Sequence, residues 1–276
     1  MILLTGATGF VGQQVVKALS VNDDIRLKLV IRNEEKISDT VRSSAAEIIH
    51  TEDLFAESSA YWEKVCQDVD TVIHVAWYAE PGKYLQSPKN LDCLLGTLNL
   101  AKGAIAAGVR RFAGVGTCFE YDLTQCLLST DTPLAPTTAY ASAKAGAYLS
   151  LSQILPTAGV EFAWCRLFYL YGEGEDERRL VPQLHQKLAA GQEVELTSGK
   201  QIRDYLDVKE AGEMICKAAL GQQQGALNIC SGNPITIKEL AHQVATEYGR
   251  PDLLRFGARA DNLVDPPCIL GVSSDV

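Results

Sequence analysis

The sequence predicts an α/β fold, a doubly wound parallel sheet followed by a smaller C-terminal lobe, and three observations lead there. Apolar strand-like runs alternate with helical stretches, the signature of βαβ units. A glycine-rich turn separates the first apolar run from the first helical pattern. After Tyr171-Gly172 the alternation breaks into a charged, glycine-bearing loop that ends at Arg178-Arg179, and order resumes at Leu180-Val181-Pro182.

Taken in order, Ile2, Leu3 and Leu4 open a strand over 1–5, and Val15, Val16 and Leu19 mark a helix over 10–19. Further strands are expected at 26–31, 47–50, 70–76, 111–116 and 160–166, with helices at 58–67, 87–107 and 138–154. The run Asp70-Thr71-Val72-Ile73-His74-Val75-Ala76 is apolar on both faces, as a buried parallel strand requires. Right-handed crossovers then put every strand's C-terminal end on one edge of the sheet. His74 is read as a structural residue of its strand. Residues 207–221 read as a helix returning to the first domain, and Thr236-Ile237-Lys238-Glu239 is a capping box opening another helix. The domain reading is therefore 1–168 plus 207–221 for the first domain, and 169–206 plus 222–276 for the second lobe.

Hydrophobic residues make up 47% of the chain and charged residues 21%, enough for a packed core. The formal net charge of −9 argues against a nucleic-acid or acidic-membrane partner. The eight cysteines show neither a C-x-x-C spacing nor a histidine-partnered pattern, so no metal site is expected. They read as buried free thiols in a reducing compartment. No charged-then-apolar leader precedes Ile2 and no apolar run reaches membrane-spanning length, so the expected location is the cytoplasm.

Two segments carry the chemistry. Thr5-Gly6-Ala7-Thr8-Gly9-Phe10-Val11-Gly12 is a Gly-x-x-Gly-x-x-Gly loop in strand–turn–helix context, which binds a dinucleotide pyrophosphate on backbone N–H groups at a helix start. Tyr140-Ala141-Ser142-Ala143-Lys144 places a phenol and an ammonium four residues apart, on one face of a helix. A free phenol titrates near ~10, and a neighbouring ammonium is expected to bring it down towards useful acid–base chemistry.

In this order the two segments resemble the extended short-chain dehydrogenase/reductases, the family of nucleotide-sugar epimerases, dehydratases and ketoreductases. The resemblance runs from residue 1 to about residue 240 and implies a Rossmann-type sheet with a C-terminal substrate-binding lobe. By that resemblance Gly6, Thr8, Gly9, Phe10, Val11 and Gly12 surround the pyrophosphate. Asp53-Leu54 meets the adenine, and Val75-Ala76 with Trp77 passes under the cofactor ribose. Tyr140 is the proton donor, Lys144 tunes it and bonds the nicotinamide ribose, and Thr117 orients the substrate oxygen. NAD-specific sites carry a carboxylate after the second strand. Here Arg32 and Asn33 follow Leu29-Val30-Ile31, which favours NADP(H) through a guanidinium–phosphate contact. Glu34 or Glu35 near the ribose would keep NAD(H) as the alternative.

The family's 4,6-dehydratases resemble Thr-Asp-Glu-x-Tyr after the hydroxyl residue. This chain has Thr117-Cys118-Phe119-Glu120-Tyr121, with Cys118 and Phe119 where the extra acid and base belong, so dehydration is not expected. Cys118 and Phe119 read instead as pocket wall. Arg203 in Arg203-Asp204-Tyr205-Leu206-Asp207-Val208 resembles the family's diphosphate-binding arginine. A second contact is expected from Arg179, with Arg178 better read as solvated. Tyr169 stands where the family has a diphosphate-binding Asn, in Arg166-Leu167-Phe168-Tyr169-Leu170-Tyr171-Gly172. The expectation is an NADP(H)-dependent 4-ketoreductase of a nucleoside-diphosphate 4-keto-6-deoxyhexose. The alternatives are an NAD-dependent sugar 4-epimerase and, less favoured, an NADP-binding redox-sensing regulator. A homodimer through the helices at 87–107 and 138–154 is also expected.

Overall fold

A computed structural model describes residues 1–33, 37–262 and 265–274. The first domain contains β1 (Ile2–Thr5), α1 (Phe10–Leu19), β2 (Leu27–Ile31), α2 (Asp39–Ser44), β3 (Ala45–His50), α3 (Ser59–Val65), β4 (Thr71–His74) and α4 (Lys89–Ala106). It continues through β5 (Arg111–Thr117), β6 (Leu127–Leu128), α5 (Ala139–Thr157) and β7 (Glu161–Leu167). Then follow β8 (Tyr169–Tyr171), α6 (Leu180–Ala189), β9 (Val194–Leu196), β10 (Ile202–Asp207), α7 (Val208–Leu220) and β11 (Gly225–Ile229). The remaining elements are β12 (Pro234–Thr236), α8 (Ile237–Glu247), β13 (Leu254–Phe256) and β14 (Leu270–Gly271).

The main sheet has seven strands in the order β11-β7-β5-β4-β1-β2-β3, all parallel. The reversal of strand order falls between β1 and β4, where a doubly wound sheet opens a crevice for ligand. Strands β1, β2, β4 and β5 are buried along their whole length, which is why their sequences run apolar without alternation. On one face α1 and α7 pack Val15, Val16, Leu19, Ala211, Ile215 and Ala219 onto the sheet. On the other, α3, α4 and α5 contribute Trp62, Leu100, Ala104, Leu151 and Leu155. The second lobe has its own core of Leu184, Leu188, Val194, Leu196, Ala241 and Val244.

Two expectations need correction. Residues 222–229 do not belong wholly to the second lobe: β11 pairs with β7 from Gly225↔Ala163 to Ile229↔Leu167 and completes the main sheet. Its Leu227 and Ile229 are apolar enough for the core, but the run is too short to reveal which sheet it joins. Nor are all eight cysteines free. Cys66, Cys93, Cys118, Cys165, Cys216 and Cys230 are buried thiols, whereas Cys126 and Cys268 form a disulfide across 142 residues. The parallel pairing of β6 with β14, Leu270↔Leu127, carries these two cysteines to a Cα separation of 4.9 Å. Among the described residues, no helix is long and apolar enough to cross a membrane.

Candidate active site

The glycine turn sits at the C-terminal end of β1. Gly6 has φ +80°, and a Cβ there would lie 2.7 Å from the Ala76 nitrogen, so a side chain is excluded twice over. A Cβ on Gly12 would run into the Gly6 carbonyl. At Gly9, by contrast, the Gly6 oxygen stays 3.4 Å from an added Cβ, so the protein itself leaves that position room. Gly9 is the N-cap of α1 and supplies no side-chain cap, and the first turn holds no acidic residue. The unsatisfied N–H groups at the start of α1 therefore face a space suited to an anion. The residues fit a dinucleotide pyrophosphate.

Asp53, with His50, Thr51, Glu52, Ala56 and Glu57, lines a cavity of about 460 Å³ beyond the end of β3. Leu54 is packed against the core instead of lining it. Arg32 is exposed just past the end of β2. Glu34 and Glu35, the alternative ribose partners, lie outside the described residues.

His74 bridges Thr5 and Thr97, with both ring nitrogens 2.8 Å from hydroxyl oxygens. Thr97 gives its own hydrogen to the Cys93 carbonyl, so the network assigns the proton of His74 to Nε2 and makes Nδ1 the acceptor from Thr5. Burial pulls this imidazole down to about 3. A neutral, doubly bonded histidine of this kind is structural.

α5 begins at Thr138, whose Oγ1 accepts from the Ala141 N–H at 3.1 Å. Tyr140 and Lys144 consequently stand one above the other in its first two turns. The Tyr140 ring meets Tyr84 edge-on at 4.8 Å and Trp77 at 6.4 Å. Burial pushes the phenol far above its usual range, while a hydrogen bond with the Thr117 side chain pulls the other way. The expected lowering by Lys144 is not what governs this phenol: desolvation and then the neighbouring Tyr84 raise it, and the contact that lowers it is Thr117. Lys144 is itself 2% exposed, donates to the Val115 carbonyl at 2.5 Å, and is drawn down to about 7 by burial.

Thr117 ends β5 and starts a single 3-10 turn closed by a capping box. Its backbone N–H donates to Glu120 Oε1 at 2.9 Å, and its Oγ1 accepts from the Phe119 N–H at 3.3 Å. The same side chain is hydrogen-bonded with the Tyr140 phenol and the Cys118 thiol. Glu120 was not among the candidate residues, yet it anchors the turn. Its carboxylate is fully buried and also accepts from Trp164 Nε1 at 3.0 Å and Arg166 Nε at 2.7 Å. Arg166 in turn donates to the Tyr121 hydroxyl, which donates to Asn228, so Tyr121 is core.

Cys118 does not form a pocket wall. It is 2% exposed and packs with Tyr121, Leu128, Phe168 and Ile269, because the capping box turns it inward. Phe119 remains half-buried, 6.1 Å from the Tyr169 ring. Tyr169 and Arg203 line a second cavity of about 290 Å³ together with Thr197, Tyr205, Arg259, Asn262 and Asp265. Arg203 is held by Asp265 at 2.6 Å and lies 5.3 Å from the Tyr169 ring centroid. Arg179 is the N-cap of α6 and pairs with Glu175 at 3.2 Å, whereas Arg178 is exposed and bonded to Asp176. Arg259, Asn262 and Asp265 were missed because they lie where the family pattern thins and nothing local marks them. Among the described residues no cluster suited to a metal ion occurs.

A family model described as the NAD dependent epimerase/dehydratase family matches residues 2–230. The chain is similar to dTDP-6-deoxy-L-talose 4-dehydrogenase (NAD(+)) of Aggregatibacter actinomycetemcomitans, with 24% identity over 269 residues covering 94% of this chain and 96% of that one. Among solved structures it is similar to UDP-N-acetylglucosamine 4-epimerase from Methanobrevibacter ruminantium in complex with UDP-N-acetylmuramic acid. The TM-score is 0.86 at 20% identity, covering 99% of this chain and 89% of that one. It is also similar to DesIV, a dTDP-glucose 4,6-dehydratase from Streptomyces venezuelae solved as a double mutant with NAD bound. There the TM-score is 0.80 at 21% identity, covering 100% of this chain and 88% of that one.

Proposed function

The chain belongs to the NAD dependent epimerase/dehydratase family, and on that premise we propose that it reduces a nucleoside-diphosphate 4-keto-6-deoxyhexose at C4. The observation that carries this reading is the seclusion of Glu120. Eliminating water from a sugar needs an acid and a base beyond Tyr140, and the turn after Thr117 offers only a buried Cys118, an apolar Phe119 and a carboxylate committed to Arg166. Hydride transfer with one proton transfer is what the remaining groups can serve. A relative named for 4-dehydrogenation of a dTDP-6-deoxysugar supports the same position of reaction.

A nicotinamide dinucleotide held by the glycine turn and Lys144 would supply hydride chemistry at the sugar C4. Tyr140, kept protonated by burial, donates its phenolic proton to the oxygen that becomes the C4 hydroxyl. Thr117, whose hydroxyl accepts from the Phe119 N–H and is hydrogen-bonded with Tyr140, turns its hydrogen to that oxygen once the sugar is bound. Lys144 holds positive charge beside the phenol and takes the nicotinamide ribose. Arg203, with Tyr169 and Arg179, receives the diphosphate, and the 290 Å³ cavity receives the nucleoside. NADP(H) is the favoured cofactor, because Arg32 is exposed at the end of β2 and makes no ion pair among the described residues. NAD(H) is the alternative, the cofactor named for the talose dehydrogenase.

A 4-epimerase would use the same three residues, and the structural likeness to an epimerase supports it as the second reading. Incubation with NADPH and a panel of nucleotide 4-keto-6-deoxysugars, with products identified by NMR, separates the two. A reduced sugar and consumed NADPH in equal amounts are expected. Interconversion of C4 epimers with no net cofactor oxidation would establish the epimerase instead. The six buried free thiols suit a cytoplasmic setting, and the Cys126–Cys268 disulfide weighs against it. A homodimer suits the exposed Leu91 and Leu95 on α4 and Leu149 and Ile154 on α5, an apolar surface on adjacent helices.

A further inference from the structure

Lys144 carries its charge in a buried place without touching a carboxylate. Its Nζ donates to the Val115 carbonyl and lies 3.9 Å from the centroid of the Trp77 ring, with the Trp164 ring 5.8 Å away. An ammonium removed from water is costly unless something replaces its hydration. A carbonyl dipole and an aromatic face are the groups in contact that do so here, and the Glu120 carboxylate favours the charge without touching it.

Trp77 is not free to turn away. Its indole Nε1 donates to Asn90 Oδ1 at 2.9 Å. Asn90 is 1% exposed, and its amide nitrogen donates to the Tyr84 carbonyl at 2.6 Å and the Ser87 carbonyl at 2.9 Å. Both ends of that amide are therefore used, which fixes the indole plane. Phe55 packs edge-on against Trp77 at 6.3 Å, and Tyr140 stands edge-on at 6.4 Å.

We propose that Trp77 is a positioning residue: its indole face, locked in place by Asn90, seats the Lys144 ammonium against the Val115 carbonyl and keeps it charged beside Tyr140. The proposal rests on the reading of Tyr140 and Lys144 as the working pair of the site. It assigns Trp77 a task directed at Lys144 itself, separate from any contact with a bound cofactor.

The other titratable and charged groups facing Lys144 come from every element around it. They are His74 on β4, Cys93 on α4, Glu120 on the turn after β5 with its partner Arg166 on β7, and Tyr140 on α5 itself. Burial holds His74 near 3 and raises Cys93 to about 11, and Tyr140 is displaced further upward. Within this set, the imidazole, thiol and phenol all stay neutral across the neutral range. A titration seen there on the lysine signal belongs to Lys144, which burial places at about 7.

The test is an NMR titration of the full chain labelled with ¹³C at the lysine Cε, the Lys144 signal being assigned by its loss in K144M. In W77L the inflection should move to lower pH by roughly one unit, since the desolvated ammonium loses its π face. W77F, with a weaker face, and N90A, with an unfixed one, should move it by less. The pH at which NADPH binding begins to fail should shift in the same order. A W77L titration superimposed on the wild-type curve overturns the proposal, whatever happens to affinity. If W77L does not fold, unshifted curves in both W77F and N90A overturn it equally. Because the lysine signal is read without turnover, a displaced titration alongside no reaction with any keto sugar leaves this inference standing and removes the functional reading.

Discussion

Arg166 Nε donates to Glu120 Oε2 at 2.7 Å, with the two side chains exposed by 1% and 0%. Removing one partner of such a pair leaves the other charge buried and alone, which costs about 3–5 kcal/mol. E120A should therefore lower the unfolding free energy by that amount in a denaturant titration. It should also reduce turnover, because the Thr117 N–H loses its acceptor. A loss under ~1 kcal/mol would show that water reaches Arg166.

Tyr140→Phe keeps the ring against Tyr84 and Trp77 and deletes only the proton donor. The expected fall in kcat is about 10²–10⁴-fold, with cofactor affinity nearly unchanged. T117A should reduce turnover while sparing the cofactor, and K144A should harm both. Near-normal kcat in the phenylalanine variant would remove Tyr140 from the mechanism.

Cofactor choice is read at Arg32. R32A should weaken NADPH binding by roughly 1.5–3 kcal/mol, the loss of one charge-assisted contact, and spare NADH. Fluorescence titration of both cofactors decides it. Equal loss for the two would mean that the guanidinium does not meet a 2′-phosphate.

His74 makes stability depend on pH with a definite sign. Its folded value of about 3 lies below the unfolded 6.5, so between these limits the unfolded chain binds more protons and acid destabilises the fold. The slope for one such group is about 1.4 kcal/mol per pH unit. Glu175, which burial raises to about 7, acts oppositely above 4.5, so wild type must be compared with H74Q. The stability advantage of wild type should shrink as pH falls through this window. A constant difference between the two would mean that native His74 takes up the proton.

The proposed dimer can be tested on the exposed face of α4 and α5. Introducing charge there, as L95E with L149E, should halve the mass measured by light scattering at micromolar concentration while leaving the circular dichroism spectrum intact. A wild-type protein already of monomer mass would count against the dimer.

Much of this was legible because local sequence and global fold agree. The strand read at 70–76 is apolar on both faces, those at 26–31, 111–116 and 160–166 are largely apolar, and the structure places strands there within a few residues. The capping box at Thr236 is formed as its residues imply. The short elements were not legible. α2 has no long apolar stripe, and β6, β9, β13 and β14 are two or three residues each, recognisable only from partners far along the chain. The cavity beside Arg203 draws on separated segments, with Asp265 arriving from 62 residues away. Nothing in Thr117-Cys118-Phe119-Glu120-Tyr121 marks Glu120 as a buried anchor. Its seclusion depends on Trp164 and Arg166, two residues apart on β7 and hence on one face of the strand.

The late arrival of β11 in the main sheet bears on how this chain is synthesised and how it can be recombined. A nascent polypeptide emerging in order would expose β7 as an open edge, its N–H and C=O groups unpaired, until Gly225–Ile229 had followed. α7, which covers α1 and one face of the sheet, is delayed with it. The first domain is thus finished by residues made after most of the second lobe's first half. Anyone grafting a substrate lobe from a relative must make two exchanges, one on each side of 207–229, and leave that returning segment with its host. A single crossover after residue 168 would pair one parent's sheet with another parent's closing strand.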